Sequence, residues 1–118
     1  MEDRNIMSRA SIKNTDQEKY LERSLVDIVT KDLKGFCIKL LSTHITGLPD
    51  RLCLLPGQRA FFVELKTKGK KPSKIQQWVH EQIRSLGFRV HVVDSYEKLK
   101  EVIGYERNQS PRVPKESN

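Results

Sequence analysis

The chain has 118 residues, of which 36% are hydrophobic and 31% charged, with a formal net charge of +7 at pH 7. That length holds one domain with a core of its own, and the positive balance favours a polyanionic partner: DNA, RNA or an acidic membrane surface. No long apolar run or secretory leader is visible, and Cys37 and Cys53 lie in hydrophobic segments as reduced thiols, so a cytoplasmic protein without a membrane span is expected.

Residues 1–14 are polar and aperiodic and read as a flexible lead. Thr15-Asp16-Gln17-Glu18 has the form of a capping box, opening a helix with Leu21, Leu25, Ile28, Val29 and Leu33 at helical spacing and an end near Gly35. Phe36–Leu41 reads as a strand, followed by a polar loop through His44, Gly47 and Pro49. Arg51–Leu55 and Ala60–Lys66 form an antiparallel hairpin about a Pro56-Gly57 turn. After a lysine-rich loop, Ser73-Lys74-Ile75-Gln76 repeats the capping-box form. The helix it opens draws an apolar face from Ile75, Trp78, Val79, Ile83 and Leu86, and Gly87 closes it. Phe88–Val93 is a fourth strand, and a short helix runs from Asp94-Ser95-Tyr96-Glu97 to Gly104. Residues 15–104 thus make the domain, and 105–118 a disordered tail. The order α-β-β-β-α-β-α predicts an α/β fold with a mixed sheet flanked by helices.

The chemistry concentrates in Gly47-Leu48-Pro49-Asp50 and Phe62-Val63-Glu64-Leu65-Lys66. Strand alternation makes Glu64 and Lys66 project together. Such a pair is usually a solvated strand end. Here Phe61-Phe62-Val63 precedes it, as in a central strand, where an unpaired carboxylate is costly. Asp50 alone is ordinary turn chemistry. The hairpin, however, brings it to the same open end as Glu64, and two carboxylates there repel unless a cation lies between them. A hard, oxygen-seeking ion such as Mg²⁺ suits that donor pair.

Glu22 falls inside the apolar stripe of the first helix with no capping role, so it is the favoured third acid. Glu18, at the capping position, is the alternative. Gln76 has a capping role, and Gln77 points about 100° away from it. Lys39 in an apolar strand marks an edge or touches a phosphate. His44 is an exposed loop histidine within reach of a phosphate; His80 reads as a helix-surface residue and His91 as a strand-face residue, neither with a visible base as partner. Lys66, Lys68, Lys70, Lys71 and Lys74 place five cations in nine residues, suited with Arg51 to a nucleic-acid backbone. A phosphate-loop motif is lacking, so a nucleotide cofactor is not expected.

The ordered set resembles the VRR-NUC (virus-type replication-repair nuclease) branch of the PD-(D/E)xK nuclease superfamily. It comprises Glu18-Lys19-Tyr20-Leu21-Glu22, Gly47-Leu48-Pro49-Asp50-Arg51, Phe62-Val63-Glu64-Leu65-Lys66, Lys71-Pro72-Ser73-Lys74-Ile75-Gln76, Leu86-Gly87-Phe88-Arg89-Val90 and Val92-Val93-Asp94. The resemblance implies a restriction-endonuclease-like fold and a Mg²⁺- or Mn²⁺-dependent DNA endonuclease. Asp50, Glu64 and Glu22 would be metal ligands, Lys66 the catalytic lysine and Gln76 the family glutamine. The segment from Glu22 to Gly35 is one residue longer than the family pattern. Stand-alone members are small viral or bacterial homodimers acting on branched DNA such as four-way junctions. The competing expectations are a nuclease of linear or single-stranded DNA and an inactive basic DNA-binding protein.

Overall fold

The computed structural model describes residues 14–111; the expected flexible lead up to residue 13 and the expected tail from residue 112 lie outside them. Helix α1 spans Asn14–Asp27. Thr15 is therefore already inside the helix, and Glu18 loses the capping role that its spacing from Thr15 implied. The helix continues as a π turn over Ile28–Asp32, where Leu33 N–H donates to Ile28 O at 3.1 Å. A π turn takes in one residue more than an α turn, which lengthens the segment between Glu22 and Gly35 locally. Gly35 then passes under the sheet: a Cβ there would stand 2.4 Å from the carbonyl oxygen of Leu54.

Four strands follow, β1 (Phe36–Lys39), β2 (Arg51–Leu55), β3 (Arg59–Leu65) and β4 (Arg89–Val93), in the spatial order β1-β2-β3-β4. The first two pairings are antiparallel and β3 with β4 is parallel, so the sheet is mixed. The β2–β3 turn uses left-handed backbone at Gly57 (φ 83°) and Gln58 (φ 59°). Between β3 and β4 the chain crosses over through α2 (Lys74–Ser85), and α3 (Tyr96–Arg107) ends the fold. Among the described residues no helix is long and apolar enough to cross a membrane.

The register assigns the faces. Arg51, Cys53 and Leu55 stand opposite Val63, Phe61 and Arg59, and Arg89, His91 and Val93 opposite Phe61, Val63 and Leu65. On this face Leu21 and Leu25 of α1, Val29 of the π turn and Leu99, Val102 and Ile103 of α3 close the core with Phe61 and Val63. The opposite face carries Glu64. Helix α2 packs against β4 there, burying Val79, His80 and Val90, while the β1–β2 side stays open, with Phe36 64% exposed.

Two expectations need correction. Ile75, Trp78 and Leu86 are exposed, Trp78 to 60%, so the buried side of α2 is turned toward Val79 and His80. His80 is thus a core residue rather than a helix-surface one. The last helix also runs past Gly104 to Arg107, because Glu106 is fully buried against two β4 side chains, which offsets the roughly 1 kcal/mol cost of a helical glycine. Tyr105–Arg107 therefore belong to the fold and not to the tail.

Candidate active site

The site forms where β2 begins and β3 ends. Arg51 pairs with Val63, so extending the register by one step sets Asp50 opposite Glu64. The carboxylate of Asp50 takes over the next rung of the ladder: its Oδ2 accepts from the backbone N–H of Leu65 at 2.7 Å. A loop residue just before β2 is thereby tied to the end of β3. Glu64 is 1% exposed, and Lys66, two residues on, puts its Nζ 3.1 Å from Glu64 Oε2. The same oxygen accepts from Gln76 Nε2 at 3.0 Å. Gln76 meanwhile completes the Ser73 capping box, its Oε1 accepting from the Ser73 backbone N–H. One glutamine both starts α2 and grips Glu64, so the capping role and the site role coexist.

The electrostatics carry the strain expected of paired acids. Burial raises Asp50 above its ordinary pKa against the hydrogen bond from Leu65, and the charge of Glu22 adds to the rise. Burial, then the negative charge of Asp50, pushes Glu64 up to about 7, with Lys66 opposing. A carboxyl whose folded pKa exceeds its unfolded value gives stability at low pH that is lost as pH climbs through the folded value. In the absence of divalent cation, Glu64 is expected to cost about 3 kcal/mol as pH rises from near its ordinary 4.5 through about 7. Urea denaturation in chelator from about pH 5 to 8 measures this. The gap between Glu64→Gln and wild type must widen in favour of the variant as pH rises; a constant gap refutes the assignment.

The third acid behaves differently. Arg51 shares the face of Val63, across the sheet from Glu64, and its Nε donates to Glu22 Oε2 at 2.9 Å. Lys39, directly opposite Arg51 in the register, lies 3.8 Å from the same oxygen. Glu22 is thus held by two cations and does not join Asp50 and Glu64. Among the described residues no group of three His, Cys, Asp or Glu side chains is close enough to hold a metal ion. Glu18 remains near enough to act on the charge of Glu64. Arg51 and Lys39, expected at the DNA, spend part of their charge on Glu22.

The lysine loop is as expected in outline. Lys68, Lys70, Lys71 and Lys74 are exposed beside the site. Gly69 (φ 81°) bends the loop and donates its N–H to Asp94 Oδ2 at 3.1 Å, tying it to the end of β4. His44 is exposed, on the loop between β1 and β2. Of the two other histidines, His91 does have a carboxylate partner, its Nε2 lying 2.7 Å from Glu106 Oε2, whereas His80 Nε2 comes only to 3.9 Å from Glu64 Oε1, beyond hydrogen-bond reach. The i, i+4 spacing of Gln76 and His80 was the available signal for that approach.

No family profile matches the chain. A curated phage protein named "Putative nuclease p44", from Acyrthosiphon pisum secondary endosymbiont phage 1, is 39% identical over 79 residues, which span 67% of this chain and 84% of that protein. A solved structure described as a VRR_NUC domain superposes with a TM-score of 0.67 at 30% identity, covering 75% of this chain and 96% of the other. The superposition agrees with the expected restriction-endonuclease-like architecture.

Proposed function

Because the chain belongs to the VRR-NUC family of nucleases, we propose that it is a divalent-metal-dependent DNA endonuclease acting on branched DNA. The observation that carries metal dependence is the pair of facing acids. Glu64 is buried with Oε1 unpartnered among the described residues, and both carboxyls are raised by burial and nearby negative charge. Hard oxygen donors in mutual repulsion fit Mg²⁺ or Mn²⁺, and Asp50 and Glu64 would hold the ion. Glu18 and Glu22 lie close enough to tune its charge. When bound, such an ion polarises a phosphodiester and lowers the pKa of its water.

The remaining roles fall to side chains whose positions are known. Lys66, partly buried at Glu64, presents an ammonium where negative charge builds up on the attacked phosphate and helps orient or deprotonate the nucleophile. Gln76 fixes the plane of the Glu64 carboxylate. Lys68, Lys70, Lys71 and Lys74 supply salt-sensitive, sequence-independent grip on the phosphates leading to the site. The open sheet face with exposed Phe36 and Leu54 supports a homodimer, whose paired sites suit two strands at a branch. The cytoplasm of a phage-bearing cell is where such a substrate would be met.

The test incubates the protein with labelled four-way junction, linear duplex and single-stranded DNA, with Mg²⁺, Mn²⁺ or chelator. Metal-dependent cutting of the junction in preference to the others is expected, with light scattering reporting a dimer. Binding without cutting on every substrate and metal would end the enzyme reading. Equal cutting of all three would end the branched-DNA reading, and a monomer would end the dimer.

A further inference from the structure

Two buried polar atoms on opposite sides of the β3–α2 contact have no hydrogen-bond partner among the described residues: Glu64 Oε1 and His80 Nε2. They are 3.9 Å apart, and each residue is only 1% exposed. An interior atom left unpaired costs about 1–3 kcal/mol, so native proteins leave few. Here the two face each other, one able to donate and the other to accept. His80 follows Gln76 by one helical turn, which directs both side chains at β3. Gln76 and Lys66 already occupy Oε2 of the same carboxylate. The Nε2–H tautomer of the ring would have one N–H to place, and Glu64 Oε1 is the unpartnered acceptor it faces.

We propose that His80 is a positioning residue for Glu64, closing its Nε2–H onto Oε1 when a divalent cation engages the site. Closure needs a shift of about 1 Å to reach hydrogen-bond distance, within the range of a side-chain torsion. The carboxylate is then held at both oxygens, by His80 on one and by Lys66 and Gln76 on the other. Carboxylates that ligate metals are commonly fixed this way, and loss of such a partner typically weakens metal affinity about 10- to 100-fold. The proposal rests on the metal-nuclease reading; the rival is that His80 merely fills space under α2.

His80→Phe keeps an aromatic ring and removes the donor; His80→Gln restores an N–H at about the reach of Nε2. Mn²⁺ binding is measured by calorimetry beside thermal melts and DNA kinetics. A folded His80→Phe is expected to bind Mn²⁺ about 10- to 100-fold more weakly. Its kcat should fall while KM for DNA stays near wild type, since the lysine loop is untouched, and His80→Gln should recover part of the metal affinity. In wild type, nitrogen NMR should find His80 as the Nε2–H tautomer, with that resonance moving on addition of Mg²⁺ and in Glu64→Gln. Wild-type Mn²⁺ affinity in folded His80→Phe overturns the proposal alone. If that variant does not fold, a bare Nε2 in the Mg²⁺-loaded wild type overturns it equally. Wild type that binds no Mn²⁺ and cuts no DNA overturns the nuclease reading and this proposal with it.

Discussion

Glu64→Gln is expected to lower single-turnover cleavage by about 1,000-fold or more while leaving the metal-free protein at least as stable as wild type at neutral pH. The rate estimate follows from what one charge does at a buried site. Removing a single preorganised electrostatic contact to a developing charge costs about 100- to 1,000-fold, and loss of the divalent cation proposed at this carboxylate would cost more. The stability estimate follows from the same burial. Glu64 is 1% exposed and faces Asp50 across the register, so its ionised form is tolerated at a cost, and Gln removes that cost while filling the same volume. Activity and stability should therefore move in opposite directions, as expected where local strain serves function. Lys66→Ala separates the roles: it should reduce cleavage about 100- to 1,000-fold and also push the Glu64 carboxyl further up, since Lys66 is what opposes the rise. Cleavage by Glu64→Gln within tenfold of wild type would remove Glu64 from the chemistry.

Much of this site could be read from local pattern because it is built by a hairpin. Once Pro56-Gly57 is recognised as the turn, the lengths of the two strands bring Asp50 and Glu64 to one end, and alternation carries Lys66 to the side of Glu64. Gln76 was likewise legible from Ser73, though its second bond to Glu64 was not. Contacts set by how elements rotate onto one another were hidden. Arg51 follows Asp50 directly, yet it points through the other face of the sheet and captures Glu22 on α1, 29 residues away. Nothing in the spacing of Glu22 announces that partner. Helix α2 offered a broad apolar stripe, and its docking angle chose Val79 and His80 while leaving Ile75 and Trp78 outside. The π turn over Ile28–Asp32 and the close approach of Gly35 to Leu54 left no mark in the helical spacing of the apolar residues. Glu106 was missed because it follows a glycine in a polar stretch, and its partners lie on β4.

Glu106→Ala is expected to destabilise the protein by about 3–5 kcal/mol. Glu106 is fully buried. Arg89 Nε and Nη2 donate to its two oxygens at 2.6 and 2.7 Å, and His91 Nε2 meets Oε2 at 2.7 Å. Alanine leaves the half-buried guanidinium without its counter-charge and opens a gap where α3 docks on β4. A domain of this size holds only about 5–15 kcal/mol in all, so the variant should melt at least about 12 °C lower. Acid should act in the same direction. Burial alone would raise the Glu106 carboxyl, but the hydrogen bonds from His91 and Arg89 outweigh it and hold the pKa below the ordinary 4.5. Its contribution is therefore present above that ordinary value and is lost as pH falls through the lowered one, opposite in sign to Glu64. The double variant Arg89→Leu/Glu106→Leu distinguishes the causes. If the cost of Glu106→Ala comes from an abandoned charge, replacing both partners should recover most of it, since paired ions exchanged for apolar groups are often neutral. A double variant as unstable as Glu106→Ala would show instead that the shape of the α3–β4 contact, and not the unpaired guanidinium, sets the loss.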